Sequence, residues 1–238
     1  TPQGLCASLV NDDILSKVKI IDLSADFRLK NVDIYEKWYK LEHKSPQYID
    51  EAVYGLCEIN RDKVTKDTRI IANPGCYTTT SILTLYPLVK EGIINPDTII
   101  IDAKSGTSGA GRGAKVANLF CEVNESMKAY GVGTHRHTPE IEQNLTDAAG
   151  EPVEIIFTPI LAPMNRGILS TIYCDKAEGV TIEKIQNELE EFYKDKPFVD
   201  VLPLGQVATV KHVRLSNKCA ISVHENKSKI IICSTIDN

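Results

Sequence analysis

The chain has 238 residues, 42% hydrophobic and 25% charged, an ordinary globular composition with length for one large core or two small ones. Lys plus Arg total 27 against 32 Asp plus Glu, a net charge of −5 without a basic stripe, which argues against nucleic-acid binding. No apolar run approaches the roughly 20 residues of a membrane span, and seven scattered cysteines without a C-x-x-C pair point to a reduced, cytoplasmic protein.

Residues 1–17 carry a polar helical pattern with Leu5, Leu9, Val10 and Ile14 as its apolar positions. Val18 to Leu23 reads as a buried strand ending in Ser24-Ala-Asp-Phe-Arg28, polar residues at the carboxyl end of a strand where α/β sheets bind ligands. Asp26 and Arg28 are equally able to pair with each other. A helix over Asp33–Lys40 and an irregular stretch from His43 to Glu58 follow, then a strand over Arg69–Ala72. This alternation predicts a parallel sheet. Asn73-Pro74-Gly75 is a tight turn, and Cys76 stands where the next helix begins, with Thr78 and Thr79 as caps and Ile82, Leu83, Leu85, Tyr86 and Val89 inward. Pro87 and Gly92 mark its end.

Residues 93–97 read as a connection into a second region of mixed α+β character. Its expected strands are Thr98–Ala103, Val153–Pro159, Gly167–Cys174, Ala208–Arg214, Lys218–His224 and Lys229–Ile236, with an amphipathic helix over Thr181–Tyr193.

Three stretches carry chemistry. A thiol at a helix N-terminus sits at the positive end of the dipole, which favours the thiolate; Cys76 is therefore the candidate nucleophile, with a buried inert thiol as the alternative. The glycine-rich loop 104–113 meets neither nucleotide motif but offers close backbone approach and several N–H groups suited to an anion or a flat ring. His135 and His137, two apart on an extended segment, precede a helix opened by Pro139, and a Cys–His pair is a standard activated couple. A metal site lacks a third ligand in this pattern.

Asn73-Pro-Gly-Cys-Tyr77, Ser105-Gly-Thr-Ser-Gly-Ala-Gly-Arg112 and His135-Arg-His-Thr-Pro-Glu-Ile141 together resemble the N-acetyl-gamma-glutamyl-phosphate reductase family of arginine biosynthesis. Asp22–Leu29, Tyr54–Glu58 and Pro159–Gly167 resemble it as well. The resemblance implies a partial dinucleotide-binding (Rossmann-type) sheet over 1–75 and a mixed-sheet catalytic and dimerisation domain over 76–238. It implies NADP(H) as cofactor, a small acyl-phosphate substrate, and a homodimer or homotetramer without nucleic acid or membrane. In this likeness Cys76 forms a thioester and His135 is the acid/base, with His137 as second choice or substrate ligand. Arg28 binds substrate phosphate, and Ser105, Gly106, Ser108, Gly109 and Asn238 line the cofactor site. The chain lacks the family's N-terminal glycine loop, stops before its C-terminal return, and has Thr78 where proline is expected; it reads as a piece of a longer protein. A reductase of an aspartyl or aminoadipyl phosphate, a cysteine hydrolase, and a module for folding or oligomerisation alone are the competing readings.

Overall fold

All residues except Thr1 and Arg112 are described in this computed structural model, and the backbone divides between Gly75 and Cys76 into two units. The first opens with two short helices, α1 (Leu5–Leu9) and α2 (Asp12–Leu15), where the sequence predicts one. The break is chemical: Val10 turns extended, and the Asn11 side chain accepts the Ile14 N–H at 3.0 Å, capping α2 afresh. Strand β1 (Ile20–Asp22), helix α3 (Val32–Tyr39, capped by Asn31), strand β2 (Val53–Tyr54), helix α4 (Cys57–Asn60) and strand β3 (Ile70–Ala72) complete it. The three strands run in the order β1-β3-β2, all parallel, as the alternating pattern requires. Ala7, Phe27, Ile49, Ile70 and Ala72 form its core.

The second unit begins with α5 (Cys76–Lys90) and β4 (Ile94–Ser105). Helix α6 (Phe120–Val123), strand β5 (Lys128–Ala129), helix α7 (Thr138–Ala149) and strands β6 (Ile156–Leu161) and β7 (Ile168–Lys176) follow. The chain then forms α8 (Ile182–Tyr193), β8 (Val199–Val201), α9 (Val210–Val213), β9 (Cys219–Asn226) and β10 (Lys229–Ile236). Seven strands make one mixed sheet in the order β5-β6-β4-β7-β10-β9-β8. The fold class is thus a parallel sheet followed by a mixed one. Helices α5 and α8 pack on one face of the large sheet, and α7 packs against α5.

Three local expectations are corrected. The stretch Asn95-Pro96-Asp97 is the bulged start of β4 and not a connection, since a bulge tolerates the missing proline N–H. Ala208–Arg214 holds the short helix α9, not a strand, because Thr209 and His212 cap each other across its first turn. Helix α5 runs through Pro87 to Lys90. Proline cannot bond the carbonyl four residues back, so Leu83 O lacks its helical donor, and the Tyr193 hydroxyl of α8 donates to it instead.

A Tyr193→Phe variant should therefore lose about 1–3 kcal/mol in chemical denaturation, the cost of a buried unpaired carbonyl. Adding Pro87→Ala, which restores the missing N–H, should recover most of that loss.

Candidate active site

Cys76 is the first residue of α5, a fifteen-residue helix buried on nearly every side, and is itself half-buried. The next residue, Tyr77, is buried and turns its ring onto two imidazoles, edge-to-face with His135 at 5.7 Å and with His137 at 5.9 Å between centroids. The Tyr77 hydroxyl lies 2.8 Å from that of Tyr130, whose ring meets His135 at 5.5 Å. Burial raises the pKa of both phenols, and the nearby Cys76 charge adds to the effect in each. The structure thus gathers Cys76, the two histidines and two tyrosines around one spot.

The histidines sit in a turn and not in an extended segment. Gly131 and Gly133 take positive φ there, and a Cβ on Gly131 would stand 3.2 Å from His135 Cδ2. The His137 N–H donates to His135 Nδ1 at 3.2 Å. Burial, with smaller contributions from His137 and Arg136, pushes the His135 pKa down to about 3. His135 is neutral at physiological pH.

Thr78 has a use beyond capping. Its hydroxyl donates to Glu140 Oε1 at 3.0 Å, and both side chains are fully buried, joining α5 to the first turn of α7. Glu140, Tyr77, Tyr130 and Phe157 were not candidates from the sequence. For the tyrosines the available signals were adjacency to Cys76 and to Gly131.

The glycine loop is built differently from expectation. The N–H groups of Gly106, Thr107 and Ser108 donate to the carbonyls of Gly167, Met164 and Asn165, so they do not converge on an open anion site. Two backbones approach closely here: a Cβ on Gly106 would lie 2.7 Å from Asn165 O. Asn238 closes the arrangement with its whole amide. Its Nδ2 donates to Ser105 Oγ (2.9 Å) and Gly106 O (3.0 Å), while Oδ1 accepts from Ser108 Oγ (2.8 Å) and the Gly167 N–H (2.7 Å). Gly109 leaves room for that amide, since a Cβ there would stand 2.6 Å from Nδ2. All five residues expected at the cofactor, Ser105, Gly106, Ser108, Gly109 and Asn238, meet in this one clamp. Arg112, of the same loop, lies outside the described residues.

In the first unit, Arg28 is buried, and its Nε donates to Asn73 O at 2.7 Å, fixing the turn before the cysteine. The Asp26 carboxylate accepts from the Gly4 and Ala7 N–H groups and the Tyr35 hydroxyl. Among the described residues no helix is long and apolar enough to cross a membrane.

The mixed sheet and the helix that opens on Cys76 belong to the semialdehyde dehydrogenase class: the family model described as "Semialdehyde dehydrogenase, dimerisation domain" matches residues 76–238. The aspartate semialdehyde dehydrogenase II of Vibrio cholerae shares the fold at TM-score 0.65 and 14% identity, over 97% of this chain and 77% of that one. The Francisella tularensis aspartate semialdehyde dehydrogenase does so at TM-score 0.64 and 11% identity, over 97% and 79%. Sequence relatives are far nearer. The N-acetyl-gamma-glutamyl-phosphate reductases of Lachnospira eligens and Lachnoclostridium phytofermentans are 69% and 55% identical, each over 100% of this chain and 69% of their own length. The chain belongs to the N-acetyl-gamma-glutamyl-phosphate reductase family.

Proposed function

We propose that the protein reduces N-acetyl-gamma-glutamyl phosphate to N-acetyl-glutamate 5-semialdehyde with NADPH, releasing phosphate, as a step of arginine biosynthesis. The observation that carries this reading is Cys76 at the head of α5, with the imidazole and phenol groups of one cluster around it. The Cys76 thiolate attacks the acyl carbon; the carbon–oxygen bond to phosphate breaks, phosphate leaves, and a thioester remains on Cys76. NADPH, when bound, supplies the hydride for that carbon. The resulting thiohemiacetal expels the Cys76 thiolate and frees the aldehyde. His135 acts at the carbonyl oxygen, where negative charge gathers in both halves, and His137 is assigned to the substrate. Arg28 is proposed for the phosphate on the chemistry of its guanidinium alone.

The clamp fits a flat cofactor ring. Ser105, Gly106, Ser108, Gly109 and Asn238 form a wall rigidified by Asn238, and open space lies where a Cβ on Gly111 or Gly113 would sit. These residues would hold the nicotinamide end. The first unit is read as the remainder of a nucleotide-binding domain, and the second as the catalytic and oligomerisation domain.

The second unit also offers a self-association surface. Ile156, Ile100, Tyr173, Ile231 and His224 stand in register across five strands, on the face away from α5. Ile156 is 62% and Ile100 42% exposed, so this row is an apolar strip open to a second copy of the chain. An Ile100→Glu change should lower the sedimenting mass of the assembly, and an unchanged mass would reject this face.

The reaction is tested on the full-length protein by rapid mixing with acyl phosphate before NADPH is added. One phosphate per active site should appear in a burst and then stop, resuming only with NADPH. Continued release without NADPH would mean a hydrolase, and no burst would exclude the thioester.

A further inference from the structure

His135 is enclosed by four rings, all edge-to-face or nearly so. His137 lies at 4.8 Å, Phe157 at 5.3 Å, Tyr130 at 5.5 Å and Tyr77 at 5.7 Å between centroids. Three come from separate parts of the chain: Tyr77 from α5, Phe157 from β6, and Tyr130 from the residue directly after β5. Tyr77 also packs on Phe157 at 5.4 Å and shares its hydroxyl hydrogen bond with Tyr130, so the rings brace one another. A nitrogen that accepts a hydrogen bond carries no proton. The His137 N–H donation to His135 Nδ1 therefore puts the ring proton on Nε2, an assignment that follows from the bond itself.

We propose that Tyr77, Tyr130 and Phe157 are a positioning collar that fixes His135 as its Nε2–H tautomer, so that the imidazole meets the reacting carbonyl oxygen as a hydrogen-bond donor. On this view His135 stabilises the oxyanion in place without releasing its proton, as a preorganised dipole in a water-poor site does. The charged and titratable groups facing it are His137 and Arg136 of the same turn, which disfavour the imidazolium, and Glu140 of α7, which favours it. Cys76 of α5 completes the set through the two phenols. Burial by the collar outweighs Glu140, which is why the neutral form prevails. The donor role rests on the thioester reading above; the tautomer and the collar do not.

The test is nitrogen-15 and carbon-13 NMR of histidine-labelled full-length protein without substrate. His135 should show the Nε2–H shifts and no titration between about pH 5 and 8, in wild type and in Cys76→Ala alike. In Tyr77→Leu, and independently in Phe157→Leu should the first not fold, its midpoint should rise by a unit or more toward the ordinary value of about 6.5. An Nδ1–H tautomer, a wild-type midpoint near 6.5, or a titration unmoved in the folded variants would overturn the proposal. Because this readout needs no turnover, its failure is separate from a missing phosphate burst.

Discussion

A Cys76→Ala variant of the full-length protein is expected to lose turnover by about 10⁴–10⁶-fold, the scale seen when a covalent nucleophile is deleted from a working site. Its melting temperature should stay close to wild type, because the residue is only half-buried and alanine suits a helix. The proposed chemistry depends on one position in the fold. Helix α5 leaves its first N–H groups without intrahelical acceptors, and their partial positive charge favours a thiolate over a thiol. Cys174 and Cys219 are buried in β7 and β9, whereas Cys121 is exposed but sits on a helix of only four residues. Alkylation followed residue by residue should therefore label Cys76 faster than the more accessible Cys121 at neutral pH. Equal rates would remove the helix from the explanation, and full activity in Cys76→Ala would end the thioester mechanism.

The second large effect belongs to His135. His135→Ala should lower kcat by about 10²–10³-fold, the cost of removing one oxyanion donor, with the phosphate burst slowed in proportion. His135→Gln, whose side-chain amide can donate from a similar distance, should recover part of that loss; a group required to give up a proton would not be rescued by an amide. The pH dependence has a definite sign. Since the folded state holds His135 near 3 against about 6.5 when unfolded, the native state binds fewer protons in between. The stability this contributes is present in full above pH 6.5 and declines as pH falls from 6.5 toward 3. The acid limb of turnover above pH 5 should persist in His135→Gln, because His135 is not its source.

Much of this could be read before the structure. Strands β4, β7, β9 and β10 announced themselves by β-branched runs, and α8 by Thr181 ahead of Ile185 and Leu189. Strands β5 and β8, two and three residues long, exist only through long-range pairing with β6 and β9, and no local signal marks such edges. Helix α9 was misread because Val210 and Val213 are β-branched, while the deciding contact, His212 on the Thr209 N–H, is an unusual capping partner. In the site, reactive residue types stood out and their supports did not. Cys76, His135 and His137 are conspicuous in any pattern of residues, whereas Tyr77 and Phe157 look like ordinary core until their rings are seen against an imidazole. Glu140 was hidden for the opposite reason: a carboxylate in a first helical turn reads as a solvated helix start, and here it is fully buried on Thr78. The glycine loop was legible as a loop, but its N–H groups went to residues 164–167, a pairing only topology could supply.

The Asn238 clamp has a kinetic meaning as well. Its bond to Ser105 spans 133 residues, so the loop beyond β4 belongs to the high-contact-order part of the molecule. At a translation rate of about 5–20 residues per second, roughly 7–27 s separate the synthesis of Ser105 from that of the residue that ties it down. Through most of that interval β4 and its loop wait beside a sheet whose strand β10 has not yet been made. The clamp is thus completed only once residue 238 has been made, and a ribosome stalled before it would hold a protein with its cysteine helix complete and its glycine loop still open.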